Sequence, residues 1–150
     1  MKIVMVGQGA FGQKHLDGLK KIDGVEVVSL AGGRPDSVEA VAKKYGIPHW
    51  TSDLDEALAQ PGVEAAILTS PTQMHASQAV QVMRAGKHVE IEIPIADTLA
   101  DARQIDAVQK LSSKINTSFK SNSEYTIEEE NYGTFGITLS FAFSPSQLIE

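Results

Sequence analysis

The chain has 150 residues, enough for one domain with a real core and too few for two full ones. Its apolar and charged fractions, 42% and 21%, are those of a soluble globular protein; no apolar run approaches the ~20 residues that span a bilayer, and a net charge of -6 argues against nucleic acid as a partner. The absence of cysteine excludes disulfides and thiolate metal sites, and with no leader pattern after Lys2 it points to a cytoplasmic setting.

Residues 2–6 form a short apolar strand that runs directly into Gly7, Gly9 and Gly12, spaced G-x-G-x-x-G. Between a strand and a helix, this spacing is the signature of a dinucleotide-binding turn. The first glycine permits a tight turn, the second lets the backbone approach a pyrophosphate, and the third lets the helix pack closely on the strand. Ala10 and Phe11 complete the loop, so the free N–H groups at the helix start face the phosphates. Leu16, Leu19 and Ile22 then recur at helical spacing, and Asp23-Gly24 supplies a stop. Residues 25–30 are a second β-branched run, 31–35 a loop, and Asp36 or Ser37 is the expected cap of a helix through Val38, Val41 and Tyr45. A short segment at 49–51 and a helix capped by Ser52 or Asp53 follow. Residues 63–69 form the next buried strand, 76–85 a helix closed by Gly86, 88–93 a strand stopped by Pro94, and 99–111 a helix. The alternation predicts an α/β fold over residues 1–111: a Rossmann-type doubly wound parallel sheet with helices on both faces, in three αβα layers.

Past Leu111 the composition changes, with alanine appearing once in the last forty residues while serine becomes frequent. Residues 112–150 therefore read as a separate, short extension, a truncated or replaced second domain. Within it, 114–119 is a candidate sixth strand. Residues 134–143 alternate, with Phe135, Ile137, Leu139, Phe141 and Phe143 on one face. Such a face needs cover from another sheet, a helix of the first domain or a second copy of the chain, and the last of these makes the protein a homo-oligomer.

Three places offer chemistry. The tip of the second strand, Leu30-Ala31-Gly32-Gly33-Arg34, carries no carboxylate to accept from a ribose 2′-hydroxyl, and Arg34 beside Gly33 is suited to a phosphate; this favours NADP, with NAD the alternative. Against it stands a solvated Arg34 neutralised by Asp36. At the end of the fourth strand, Thr69 and Ser70 are placed to hydrogen-bond a ribose or phosphate, Pro71 forms a wall and Thr72 is a candidate cap. His75 is weighed between a ligand- or helix-anchoring role and a structural one, and His15 is expected to pack within its own helix. At the mouth of the fifth strand, Glu92 is placed to orient the nicotinamide ribose or a neighbouring polar group, and Pro94 demands a bend or a cis bond. His49 and His88 show no pairing that suggests a metal site, and none is expected.

Taken in order, these motifs resemble the amino-terminal domain of the glucose-fructose oxidoreductase/inositol dehydrogenase (Gfo/Idh/MocA) superfamily. Gly7, Gly9, Gly12 and His15 fit G-x-G-x-x-G-x-x-H, residues 69–75 are similar to its T-x-P-x-x-x-H segment, and Ala85-Gly86-Lys87-His88-Val89 to its A-G-K-H-V run. Within the superfamily, residues 10–18, 71–75 and 92–94 are most similar to an NADP-using branch of aromatic degradation. The resemblance implies an NAD(P)-binding domain and hydride transfer at hydroxyl or carbonyl carbons of a small molecule. Two departures stand out. The family pattern Glu-Lys-Pro is here Glu92-Ile93-Pro94, and no histidine beyond His88 matches the family's acid/base in its substrate domain, so no catalytic residue is assigned. Two functions fit the sequence: the cofactor domain of an NADP-dependent oxidoreductase, or a nucleotide-binding or dimerising module without turnover. If the alternating segment 134–143 pairs between copies, sedimentation of the chain at high micromolar concentration gives a dimer; a monomer with no exposed apolar surface eliminates that interface.

Overall fold

The computed structural model describes residues 1–115, with side chains described through Leu111. Five strands and five helices alternate: β1 (Lys2–Val6), α1 (Ala10–Leu19), β2 (Glu26–Ala31), α2 (Pro35–Tyr45), β3 (His49–Thr51), α3 (Leu54–Leu58), β4 (Val63–Leu68), α4 (Thr72–Arg84), β5 (His88–Ile91) and α5 (Leu99–Ile115). The strands form one parallel sheet in the order β3-β2-β1-β4-β5. A sheet of this kind is buried on both faces, which is why the strands read as continuous apolar runs.

Side chains alternate across the sheet and divide the core in two. Ile3 and Met5 of β1 point to the face covered by Leu16, Val38 and Ala42 of α1 and α2, while Val4 and Val6 point to the face covered by Ala57, Ala79, Val82 and Ile105 of α3, α4 and α5. The register sets Val6 opposite both Ala31 and Leu68, so β1, β2 and β4 end level at one edge. Between β1 and β4 the chain's strand order reverses, and the crevice above that point is where open α/β sheets bind ligands.

The helix ends show how local chemistry set the boundaries. Asp53 caps α3 by accepting from the N–H groups of Asp55 at 2.9 Å and Glu56 at 3.4 Å, as expected. The caps expected at Asp36 or Ser37 and at Thr72 are not used: α2 starts two to three residues earlier, at Pro35, after an uncapped Arg34, and Thr72 is the first residue of α4 after Pro71. Proline at the first helical position has a fixed φ that suits the helix and lacks an N–H that would be unpaired there anyway, so it starts α2 without a side-chain cap. Ile22 lies beyond the end of α1 and is exposed, not part of its apolar stripe. Gly46 ends α2 with a left-handed φ of 70°.

Beside that end, Tyr45 donates to the Gln13 carbonyl at 3.2 Å and to Asp17 at 3.0 Å, fastening α2 to α1. Partial burial first, then the hydrogen bond and charge of Asp17, hold this phenol above its ordinary value of 10.0, so it stays a donor through the neutral range.

Helix α5 continues past the expected stop at Leu111. Lys114 and Ile115, the start of the candidate sixth strand 114–119, are instead its last two residues; no glycine or proline interrupts 112–115. The rest of that candidate strand, and the segment 134–143, lie outside the described residues. Leu30, next to the last residue of β2, is fully buried. Leu30→Ala removes packing that a parallel sheet cannot readily collapse around, and denaturant titration is expected to show a loss of about 2–5 kcal/mol.

Candidate nucleotide-binding site

Gly7 carries on from β1 with a φ of 107°, donating its N–H to the Ala31 carbonyl at 2.8 Å. Thr69 mirrors it from β4, donating its N–H to the Val6 carbonyl at 2.8 Å, while its hydroxyl donates to the carbonyls of Val6 at 2.9 Å and Gly7 at 3.1 Å. The contact leaves no room for a side chain: a Cβ on Gly7 falls 2.7 Å from Thr69 Oγ1, and one on Gly12 falls 2.0 Å from the Gly7 carbonyl oxygen. Gly9 is different. Nothing lies within 4 Å of the position its Cβ would take, so its backbone faces open space.

Gly9 is also the N-cap of α1, with no side-chain cap. The first N–H groups of that helix, from Ala10, Phe11 and Gly12, have no partner among the described residues and sit at the positive end of the helix dipole. Helices α2 and α4 also start without a side-chain cap, unlike α3 with its Asp53; what sets α1 apart is the open space at Gly9 beside its first N–H groups. Space where a side chain would stand, free donors and a helix start together fit a pyrophosphate.

The loops after β4 and β5 make the far wall. His75 is 2% exposed, and its two ring nitrogens face two carbonyls, Ser70 at 2.8 Å from Nε2 and Pro94 at 2.9 Å from Nδ1. It therefore ties the β4–α4 loop to the segment after β5. Both partners only accept; a neutral ring donates to one of them and a protonated ring to both. Pro94 follows a cis peptide bond, one of the two conformations its position allowed. The Ser70 hydroxyl donates to Gln78, and Pro71 is exposed at the rim.

Glu92, just past β5, donates its N–H to the Leu68 carbonyl at 2.9 Å, one carboxylate oxygen accepts from the Ile93 N–H at 3.1 Å, and the other lies 2.6 Å from His15 Nε2. This corrects the expectation for His15. It does not pack within α1; its partner is 77 positions away, and the two side chains are about one quarter exposed, 25% and 27%. The pair joins the glycine-turn helix to the mouth of β5, across the crevice. Spacing along the chain gave no sign of it; the histidine of the G-x-G-x-x-G-x-x-H motif was the available pointer.

At the β2 tip, Gly33 and Arg34 are exposed, and Arg34 has no hydrogen bond or ion pair among the described residues. Asp36, next but one, does not engage it. Among the described residues no group of three or more histidine, cysteine or acidic side chains is arranged to hold a metal ion, and no helix is long and apolar enough to cross a membrane. The structure thus gathers Gly7, Gly9, Ala10, Phe11, Gly12, Thr69, Ser70, Pro71, His75, Glu92 and Pro94 around the β1/β4 crevice, with Gly33 and Arg34 at its β2 end.

A family model described as an oxidoreductase family with an NAD-binding Rossmann fold, Gfo/Idh/MocA, matches residues 1–118. The chain belongs to that family. It is 55% identical over 114 residues to the 4-carboxy-2-hydroxymuconate-6-semialdehyde dehydrogenase of Sphingobium sp., covering 76% of this chain and 35% of that protein, in line with the branch that residues 10–18, 71–75 and 92–94 resemble. The myo-inositol 2-dehydrogenase of Thermotoga maritima is 30% identical over 141 residues, covering 91% of this chain and 42% of its own length. Among solved structures, the WlbA dehydrogenase of Bordetella pertussis in complex with NADH and UDP-GlcNAcA superimposes with a TM-score of 0.71 at 26% identity, over 75% of this chain and 33% of that one. The chain spans roughly two fifths or less of the length of these relatives. It contains the NAD(P)-binding Rossmann domain of a Gfo/Idh/MocA oxidoreductase.

Two glycines of the turn separate architecture from binding. Gly12→Ala forces backbone apart and is expected to cost about 1–3 kcal/mol in thermal unfolding. Gly9→Ala changes stability by less than about 1 kcal/mol and still removes most nucleotide affinity in calorimetric titration, because its Cβ enters the space a pyrophosphate would fill.

Proposed function

We propose that this chain holds NADP for hydride transfer to or from a hydroxyl, carbonyl or hemiacetal carbon of a small molecule. The observation that carries the choice of cofactor is the β2 tip: no carboxylate stands there, and Arg34 is exposed and unengaged among the described residues, where a 2′-phosphate of the adenosine ribose would meet it. The uncapped start of α1 supports the pyrophosphate, and the Glu92 mouth of the crevice supports the nicotinamide end. The similarity to a semialdehyde dehydrogenase makes an aldehyde or its hydrate the substrate class to try first. We also assign the protein to the cytoplasm and to a homo-oligomer formed through residues 134–143, on the sequence pattern.

The hydride chemistry is the cofactor's; the chain's own part is binding and orientation. The second reading, a nucleotide-holding module without turnover, is favoured by one feature, the isoleucine at position 93 where the family pattern has lysine. Both readings bind nucleotide, and turnover separates them.

Titration of the chain with NADPH and NADH, beside Arg34→Ala, tests the proposal. Loss of a charge-assisted contact is expected to weaken NADPH about 10- to 100-fold while NADH changes little. Equal affinities that ignore Arg34 reject the NADP assignment. Absence of any binding by folded protein leaves the glycine turn as architecture alone. Growth of NADPH absorbance from NADP and an aromatic-derived semialdehyde supports the enzyme, and its absence with bound nucleotide supports the module.

A further inference from the structure

Gln8, the residue between the first two glycines of the turn, has a side chain that the nucleotide motif leaves unspecified. In the structure its amide lies over the end of β2: a Cβ added to Gly32 would fall 2.2 Å from Gln8 Oε1 and 3.0 Å from its Cδ. The amide, together with the buried Val38 Cγ2 at 2.8 Å, therefore occupies the volume that a side chain at position 32 would take. Gln8 is half-buried, its backbone carbonyl accepts from Gln13 Nε2 at 3.3 Å, and its side-chain amide has no hydrogen bond among the described residues. A polar group is held at the strand tip with its hydrogen-bonding capacity open.

We propose that Gln8 reads the 2′ position of the adenosine ribose, in place of the carboxylate that β2 lacks. The inference rests on the nucleotide reading above. A carboxylate on β2 accepts from a 2′-hydroxyl and repels a 2′-phosphate. An amide brought in from the β1–α1 turn does neither selectively: its oxygen accepts from a hydroxyl, its NH₂ donates to a phosphate, and it carries no charge. Gln8 thereby makes the site tolerant of both cofactors, and Arg34 tilts it toward the phosphorylated one. Gly32 is required for this arrangement, since any side chain there displaces the amide.

The test is calorimetric titration of wild-type chain, Gln8→Glu, Gln8→Ala and Gly32→Ala with NADPH, NADH and the fragment 2′,5′-ADP, each protein first shown to melt as wild type does. Gln8→Glu is expected to weaken NADPH and 2′,5′-ADP at least about tenfold and to leave NADH within about threefold, because a carboxylate meets the phosphate but still accepts from a hydroxyl. Gln8→Ala is expected to weaken both dinucleotides by about 2- to 10-fold, the range of one neutral hydrogen bond. Gly32→Ala reaches the same contact from the other side but also presses on the buried Val38; where it melts as wild type does, it is expected to weaken both dinucleotides at least as much as Gln8→Ala. If wild type binds dinucleotide but Gln8→Glu moves the NADPH/NADH affinity ratio by less than about twofold, Gln8 is not the reader and the nucleotide site stands. If folded wild type binds neither dinucleotide, both readings fall together.

Discussion

Three backbone segments converge where the strand order reverses, and the rest of the site depends on their fit. Gly7, Gly12 and Thr69 approach so closely that a methyl group on either glycine would collide with its neighbour, at 2.7 Å from the Thr69 hydroxyl in one case and 2.0 Å from the Gly7 carbonyl in the other. Because α1 can sit this near β1, its first N–H groups open toward the crevice instead of over solvent beyond it. The Thr69 hydroxyl completes the arrangement by donating to two β1 carbonyls past the end of the ladder. A side chain that sequence reading offers to the ligand thus has its proton engaged in shaping the turn, and its contribution to binding is through the backbone it positions.

The crevice walls are tied by two histidines, each doing so by different chemistry. His75 is buried and bonds only to backbone, so it sets the spacing of the β4–α4 loop and the segment after β5. His15 is partly exposed and pairs with a carboxylate, so its link between α1 and the segment after β5 runs through two side chains that solvent reaches. Between them, the three loops at the sheet's edge form one unit, and Ile93, 59% exposed, projects from the part they hold. Its backbone N–H is bound to the Glu92 carboxylate and the next carbonyl to His75, which fixes the direction of an apolar side chain at the mouth.

Legibility in the sequence followed locality. Glycine spacing, strand runs and the Asp53 cap each depend on residues a few positions apart, and the order of all ten elements and the type of nine could be read from them; residues 49–51, too few for a pattern, read only as a short segment and form strand β3. The start of α2 at Pro35 was misplaced because a proline's fixed φ competes with the side-chain capping signal, α4 starts at Thr72 itself with Pro71 in the cap position, and α5 outran the expected stop at Leu111. The His15–Glu92 pair and the seat of Gln8 over Gly32 join segments far apart in the chain. No periodicity encodes them; they follow only once parallel strands have brought the loops to one edge.

The electrostatics of the site are local by necessity. The chain carries a net charge of -6, and a nicotinamide dinucleotide is itself anionic, so the long-range field opposes encounter. At physiological ionic strength that field is screened beyond ~8 Å, while donors at hydrogen-bond distance are not. Binding must therefore rest on the uncapped first turn of α1 and on Arg34, both exempt from internal partners among the described residues. This also explains the value of an amide at position 8. A carboxylate at the β2 tip would add one more negative charge beside the phosphates, whereas Gln8 supplies an acceptor and a donor without strengthening a field that already works against the ligand.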